Sequence, residues 1–445
     1  MIKNLLSVVV ASVLATVSCS CAAGGALPAA NEFGTDPRLV APESSFLPTV
    51  KPAEAIGWPE GKTPLAAEGL SVAAFASGLD HPRWLTVLPN GDVLVAESRA
   101  PADTGGMSGI KAWVAEKMMA YAGAGGASAN RITLLRDSDK DGVAETQSVL
   151  VSNLNSPIGM AYVEPYLYVA NTDSLVRFPY QLGQMAINAQ PERVVNLPGG
   201  EGELNHHWTK SLIANPAGTK LYVGVGSNSN IAENGMDAEQ NRAAILEVDL
   251  ASGETRVFAD GLRNPVGLAW QPQTEQLWVA VNERDELGDQ LVPDYITSVQ
   301  EGGFYGWPYS YYGHHVDVRV EPQNPEKVAA AIKPDYAVGA HTASLGLAFY
   351  PQATDGEMAN RFAGGAFVGQ HGSWNRNPRS GYKVIFVRFE DGAPVGMPED
   401  IVSGFLSEDG EAYGRPAGVT IGSLGDLLVA DDVGDTIWRV TSSTQ

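Results

Sequence analysis

The sequence predicts an all-β protein, a six-bladed β-propeller with one short helical insertion. Three observations lead to this. One phrase returns roughly six times along the 445 residues: an apolar stretch, a turn on Pro, Asn, Gly or Asp, then a strand rich in Leu, Tyr, Val and Ala. Its spacing is irregular, several tens of residues, as in a radial or stacked array whose single unit cannot bury its own apolar face. Helical periodicity is scarce, and the 49 glycines fit a chain of many turns.

In chain order, Lys3 precedes an apolar run over residues 5–17 and small residues over 18–24. This predicts an export signal over residues 1–21 rather than a membrane span, and so an exported, periplasmic protein. Both cysteines, Cys19 and Cys21, fall inside it, so no disulfide is expected in the mature domain. The stretch TVSC from Thr16 is similar to a lipoprotein processing site, although the usual Leu three positions before the cysteine is absent; it makes Cys19 a candidate lipid anchor. Residues 22–67, rich in Ala, Pro and Gly, read as a linker, and residues 68–445 as one catalytic propeller domain.

Within that domain EGLSVAAFASG, from Glu68, is expected to complete the blade formed by the last strands and so close the ring. The copies of the phrase begin at Arg83 (RWLTVLPNGDVLVAES), Ile158, Ser211, Val266, Leu345 and Ala417 (AGVTIGSLGDLLVADD). After the first comes GIKAWVAEKMMAYAG from Gly109, which spaces Ile110, Trp113, Val114, Met118 and Tyr121 as a helical face that would cover one end of the domain or dock a partner. DSDKDGVAE then sets Asp137, Asp139, Asp141 and Glu145 around Gly142, the start of a calcium loop, with Ser148 where the closing Glu is expected. These four acids are candidate ligands of a structural calcium.

Composition limits the partners. With 44% hydrophobic and 18% charged residues the chain is globular, and its formal charge of −22 should repel nucleic acid and anionic lipid.

Function in a propeller sits in loops over the channel, so the polar exceptions next to the repeated strands carry most information. His206 and His207 precede the third copy, and a neutral histidine there could act as a base. Arg263 and Asn264 precede the fourth, offering a planar set of donors to an anion or a developing oxyanion. Glu283, Asp285, Glu286 and Asp289 crowd NERDELGD, a repulsion relieved by a bound cation or by a basic partner. GGFYGWP from Gly302 could let a backbone approach a flat ligand and stack on it. His341, His371, Arg376 and Arg415 stand at later strand edges, and several cations converging in so acidic a chain imply an anionic ligand.

Taken in order, HHW, GLRNP, ERDELGD, GGFYGWP, GQHGSWNR and GRP resemble the quinoprotein sugar dehydrogenases that bind pyrroloquinoline quinone, especially the sorbosone dehydrogenases. The resemblance spans residues 68–440 and implies a six-bladed propeller with the quinone lying over its channel on a calcium ion. It implies His207 as general base, Arg263 as the donor to the reacting quinone oxygen, and main-chain carbonyls of Asp285 and Glu286 as ligands of the cofactor calcium. His341, Arg376, Arg415, Asn264 and His371 would contact the cofactor, and Asn155 the sugar. Soluble glucose dehydrogenases carry a Gly-Pro pair where this chain has Asp285 and Glu286, and an orienting Asp where it has Ser227, so Asn228 or Glu203 is expected to orient the base.

The leading expectation is therefore an enzyme, a quinoprotein dehydrogenase oxidising an aldose or a sorbosone-like sugar aldehyde. It would pass electrons to a cytochrome or membrane quinone, since the chain carries no haem attachment motif. The alternatives are a calcium-dependent lactonase-type propeller hydrolase and a non-catalytic propeller binding glycans or a partner protein. Arg263, Arg376 and Arg415 discriminate, because neither alternative needs several cations facing a tricarboxylate.

Overall fold

The recurring phrase folds each time into the two inner strands of an antiparallel sheet. In the computed structural model, which describes residues 31–43, 49–101, 116–200, 203–352 and 356–443, six such blades form a propeller. Blade 1 holds Pro82–Val87, Val93–Glu97, Arg131–Arg136 and Thr146–Val151. Blade 2 holds Met160–Val163, Tyr166–Ala170, Ser174–Pro179 and Glu192–Asn196. Blade 3 is built from Lys210–Ala214, Lys220–Val225, Ala244–Asp249 and Thr255–Asp260, and blade 4 from Pro265–Trp270, Leu277–Val281, Pro293–Ser298 and Tyr336–Ala340. Blade 5 contains Ser344–Phe349, Ala366–Gln370, Lys383–Glu390 and Ala393–Ser403. Blade 6 contains Pro416–Ile421, Leu427–Asp431 and Thr436–Ser442, and Leu70–Ser77 completes it in antiparallel register, Trp438 opposite Ala74. The ring closes through the segment expected from sequence.

The apolar faces are buried between blades. Six core clusters each draw on two neighbouring blades, as where Trp278, Ile296 and Val338 of blade 4 meet Leu347, Val368 and Ile385 of blade 5. Burying one Val, Leu or Phe is worth about 1.5–3 kcal/mol, so an unclosed ring would forfeit a whole blade face. That loss is the physical reason for closure. Toward the axis, Val266, Leu345 and Ala417 pack together against Trp84. Glycine lets these inner strands approach: a Cβ on Gly267 would lie 2.7 Å from Leu345 O, and one on Gly346 2.5 Å from Ala417 O.

The helical insertion is described only over residues 116–121, which are helical; Ile110, Trp113 and Val114 lie outside the described residues, as do residues 1–30 with Cys19 and Cys21. Two further short helices, Pro325–Ala330 and Glu357–Phe362, were not expected.

The linker reading is corrected for its described part. Phe33–Gly34 pairs with Tyr336–Ala340 at the edge of blade 4, and Leu65–Ala66 pairs with Ala393–Ser403 of blade 5. Between them Ala53 is fully buried, and Trp58 packs against Phe405, Tyr413 and Trp438 while donating to Asp431. Docking on a preformed surface needs no periodicity of its own, which is why composition alone suggested a linker.

Candidate active site

Antiparallel pairing places the start of each innermost strand beside the end of the next. Lys210 pairs with Val225, Pro265 with Val281, Ser344 with Gln370, Pro416 with Asp431 and Pro82 with Glu97. All the polar residues that precede a first strand or follow a second one therefore share one face of the ring. His207, Arg263, Asn264, Asp285, His341, His371, Arg415 and Asn155 all stand on it. The acidic loop at 137–145 joins the third and fourth strands of blade 1 and so lies on the opposite face.

His207 Nδ1 is 2.8 Å from the carbonyl oxygen of Ser227 and 3.1 Å from its Oγ. A carbonyl only accepts, so Nδ1 carries the proton and Nε2 is left bare. The orienting group is thus main chain. Asn228 is committed to Ala238, Asn234 and Glu239, and Glu203 to the Gly199 and Gly200 amides, which corrects both expected orienters. Burial, reinforced by Arg263 and His206, holds the His207 pKa well below the ordinary 6.5, so the imidazole is neutral.

Arg263 is buried and its guanidinium donates to Asn230 O (3.3 Å), Asn230 Oδ1 (2.9 Å), Glu283 O (2.8 Å) and Asp285 Oδ2 (3.0 Å). One Nη1 hydrogen is left uncommitted. Asp285 Oδ1 accepts from Asn375 at 2.7 Å and lies 3.5 Å from His341 Nδ1. Burial would raise the Asp285 pKa, but Arg263 and His341 override it and hold the carboxylate ionised. Burial would equally lower His341, and Asp285 raises it instead. Below His207, Lys210 is fully buried with Nζ on Asn205 Oδ1 and Trp208 O, and burial holds its pKa well below 10.5.

Two of the crowded ERDELGD acids, Glu283 and Asp285, have close basic partners, while Glu286 lies 3.9 Å from Arg319 and Asp289 accepts from the Asn377 amide. Arg263 takes Asp285, fully buried Arg284 takes Glu283 and Asp317, and Arg319 takes Asp317 and reaches the loop's main chain. Arg319 Nη1 donates to the carbonyls of Asp285 (3.1 Å) and Glu286 (3.2 Å), and Asn230 Nδ2 also donates to the first at 3.3 Å. Calcium needs oxygens at about 2.3–2.6 Å, and a guanidinium already stands where these two carbonyls converge. The residues expected to hold a cofactor calcium therefore do not fit one.

On the blade 6 side, Asp432 Oδ2 accepts from Arg83 and from His371 (2.8 Å), with His81 at 3.6 Å. Burial would raise Asp432, but His371, His81 and Arg83 hold it ionised, while burial drives His81 down to about 4. Arg415 is buried against the Tyr382 ring, donates weakly to Ala53 O (3.4 Å), makes no ion pair among the described residues, and leaves Nε without a partner. A buried guanidinium without a carboxylate fits an anionic ligand such as the quinone tricarboxylate. Asn264 Oδ1 and His81 Nδ1 are likewise buried and unpartnered.

Other expectations are corrected. Arg376 is held by Glu32 in a buried bidentate pair (2.7 and 2.8 Å) and by Ala340 O, so its charge is not offered to a ligand. Phe304, Tyr305 and Trp307 of GGFYGWP are buried in the wall, with Trp307 donating to Asn230 O. The exposed aromatic near the site is Trp374, beside Asn375. Sequence reading missed Arg83, Asn230, Asp432 and Arg319. Asp432 had a signal, since it ends LLVADD at the position of His371 in FVGQHG.

A family model described as TrAA12-like matches residues 64–298 and 320–443. The chain belongs to this family. The match leaves residues 299–319 outside it. An uncharacterized protein of Borreliella burgdorferi is 26% identical over 307 residues, 65% of this chain and 77% of that protein. The fold is shared with the holo PQQ domain of pyranose dehydrogenase from Coprinopsis cinerea, at TM-score 0.66 and 18% identity over 85% of this chain and 97% of that one. It is shared too with the calcium structure of the family AA12 carbohydrate-active enzyme of Trichoderma reesei (0.67, 17%, 90% and 99%). The PQQ-bound aldose sugar dehydrogenase of Streptomyces coelicolor is a further neighbour (0.53, 17%, 85% and 100%). At these identities the TrAA12-like chain and its neighbours have a common architecture, and chemistry must be argued from its own residues.

Proposed function

We propose that the protein is a pyrroloquinoline-quinone-dependent dehydrogenase that oxidises an aldose or a sorbosone-like sugar aldehyde at the channel face, with His207 as general base. The observation that carries this reading is the bare, neutral Nε2 of His207 on blade 3, on the same face as the unpaired cation Arg415 of blade 6. The relatives with this fold add support, since two are a pyranose dehydrogenase domain in holo form and a PQQ-bound aldose sugar dehydrogenase.

When bound, the quinone accepts the hydride that leaves the sugar carbon. His207 Nε2 takes the proton of the hydroxyl on that carbon, the anomeric hydroxyl of a cyclic aldose or one hydroxyl of a hydrated aldehyde. The C–H hydrogen thus leaves as hydride and the O–H hydrogen as a proton, giving a lactone from the first and an acid from the second. Arg415, with Asn264 beside the channel, binds the anionic cofactor. Arg263 keeps His207 neutral and fixes Asp285, with one N–H left for an oxygen gaining charge. Trp374 gives a sugar an apolar face to lie on, and Asn155, exposed at blade 2, a polar edge. Electrons then leave to an external cytochrome or membrane quinone.

On the opposite face, Asp137, Asp139, Asp141 and Glu145 offer carboxylate oxygens within 4.8 Å of one another, with Asp137 Oδ1 unpartnered; we assign this loop a structural calcium. The function is tested by incubating purified protein with the quinone and following reduction of an artificial acceptor with a panel of aldoses and sugar aldehydes. Sugar-dependent dye reduction is expected. Its absence for every sugar tried would overturn the reading.

A further inference from the structure

The site of the expected cofactor calcium is taken by a side chain. Arg319 lies at the end of the 299–319 segment that the TrAA12-like model leaves unmatched. Its guanidinium is fixed from one side by Asp317, with Nε on Oδ1 (2.9 Å) and Nη2 on Oδ2 (2.7 Å). From there Nη1 spans the carbonyls of Asp285 and Glu286 at 3.1 and 3.2 Å. Asp317 is itself fixed by Arg284, which is fully buried and bound to Pro308 O and Ser310 O.

Three consequences follow from this arrangement. Asp285 O has both of its lone pairs engaged, by Arg319 and Asn230, and Glu286 O has one engaged by Arg319. A divalent cation at that point would face Arg319 directly and Arg263 across Asp285, with the carboxylates of Asp285 and Asp317 already matched by arginines and only the exposed Glu286 carboxylate, itself 3.9 Å from Arg319, at hand to balance it. Displacing Arg319 would also leave Asp317 with only half of its guanidinium partners. The Arg319 side chain is still 25% exposed, so its charge is felt at the face of the loop rather than sealed beneath it.

We propose that Arg319 supplies, from within the chain, the positive charge that calcium would bring to the cofactor face, so that this protein binds its quinone without calcium. The proposal rests on the quinone reading above. It makes the Asp317–Arg319 pair a built-in counter-ion, and it confines any calcium requirement to the remote loop at 137–145.

Two measurements test it. The first is titration of chelator-treated protein with pyrroloquinoline quinone, read by quenching of tryptophan fluorescence, with and without added calcium. The expected dissociation constants agree within about twofold, and a tenfold or greater tightening by calcium overturns the proposal. Arg319→Met is expected to weaken quinone binding at least tenfold in chelator and to regain part of it when calcium is added, while Arg319→Lys keeps most of it. An Arg319→Met protein, folded by circular dichroism, that binds quinone as tightly as wild type in chelator also overturns it. The second is calorimetric titration of calcium alone into protein carrying Asp139→Asn and Asp141→Asn, which disable the remote loop. No binding is expected, with a single site gained when Arg319→Met is added; a calcium site present while Arg319 is intact overturns the proposal. If no quinone binds with or without calcium, the dehydrogenase reading falls, and the calorimetry still decides whether Arg319 bars the metal.

Discussion

His207 Nδ1 lies 2.8 Å from the carbonyl oxygen of Ser227, and because that oxygen can only accept, the contact fixes which ring nitrogen is free to act. His207→Ala is expected to lower kcat by about 10²–10⁴, the usual cost of losing a general base, with quinone affinity changed only a few-fold. Ser227→Ala keeps the carbonyl and loses only the Oγ at 3.1 Å, so it should cost less than about tenfold by the same measure. Rapid-mixing turnover and quinone titration of the two variants decide the matter. A Ser227→Ala protein as inactive as His207→Ala would place the orienting role on the hydroxyl.

The same environment sets the pH profile. Only neutral His207 can take a proton, and burial, then Arg263 and His206, hold its pKa below 6.5. Protonation disables the base only at more acid pH, so kcat/KM should be level through pH 6.5 and fall below it. Arg263→Gln removes one repelling cation, and the acid limb should move up toward 6.5. A wild-type limb at or above 6.5, measured across a buffer series, would mean that the ring is more hydrated than its packing implies.

The propeller and the face bearing the site were legible because both follow from strand periodicity: the phrase marks the inner strands, and antiparallel pairing collects their polar ends. His207, Arg263 and Arg415 could be picked out as residues that break the rhythm. Their partners could not. Ser227 acts through its main chain, which any residue would offer, and Arg376 meets Glu32 from a segment with no periodicity at all. The crowding of acids in ERDELGD was legible as a demand for a cation or a basic partner, and in the fold Glu283 and Asp285 meet arginines; spacing along a sequence does not distinguish a metal from a side chain such as Arg319. That choice depends on which side chain reaches the loop first in three dimensions.

Glu32 and Arg376 form a buried pair that ties the N-terminal segment to the loop holding Asn375. Glu32→Ala leaves the guanidinium buried and unpaired, with an expected loss of about 3–5 kcal/mol in denaturant unfolding. The double variant Glu32→Ala with Arg376→Met should recover most of it. Quinone affinity of the folded double variant should match wild type within about twofold, since Arg376 is spent on Glu32. A clear loss of affinity would return Arg376 to the cofactor set.

The loop at 137–145 should report on stability and not on turnover. Binding of calcium at a hundredfold excess over its dissociation constant stabilises the native state by about 2.7 kcal/mol, which a thermal melt resolves as a rise in Tm. Asp139→Asn with Asp141→Asn should abolish that rise and leave kcat unchanged, because the loop faces away from His207. A melt indifferent to calcium in the unaltered protein would leave the four carboxylates as a solvated hairpin.

Arg415 offers the sharpest contrast between a structural and a ligand-binding role, because its Nε has no partner and its charge no counter-ion among the described residues. A buried donor left unmatched costs about 1–3 kcal/mol, so Arg415 is a burden on the cofactor-free protein that an arriving carboxylate would relieve. Arg415→Met keeps the length of the stem and removes the charge. Cofactor-free Arg415→Met should therefore melt at or above the wild-type temperature, whereas a structural arginine would make it melt lower. Quinone binding should weaken by roughly tenfold to a hundredfold, the equivalent of one charge-assisted hydrogen bond, with turnover at saturating quinone little altered. A variant that melts early and binds the quinone normally would assign Arg415 to the fold and remove the cation on which the anionic cofactor depends.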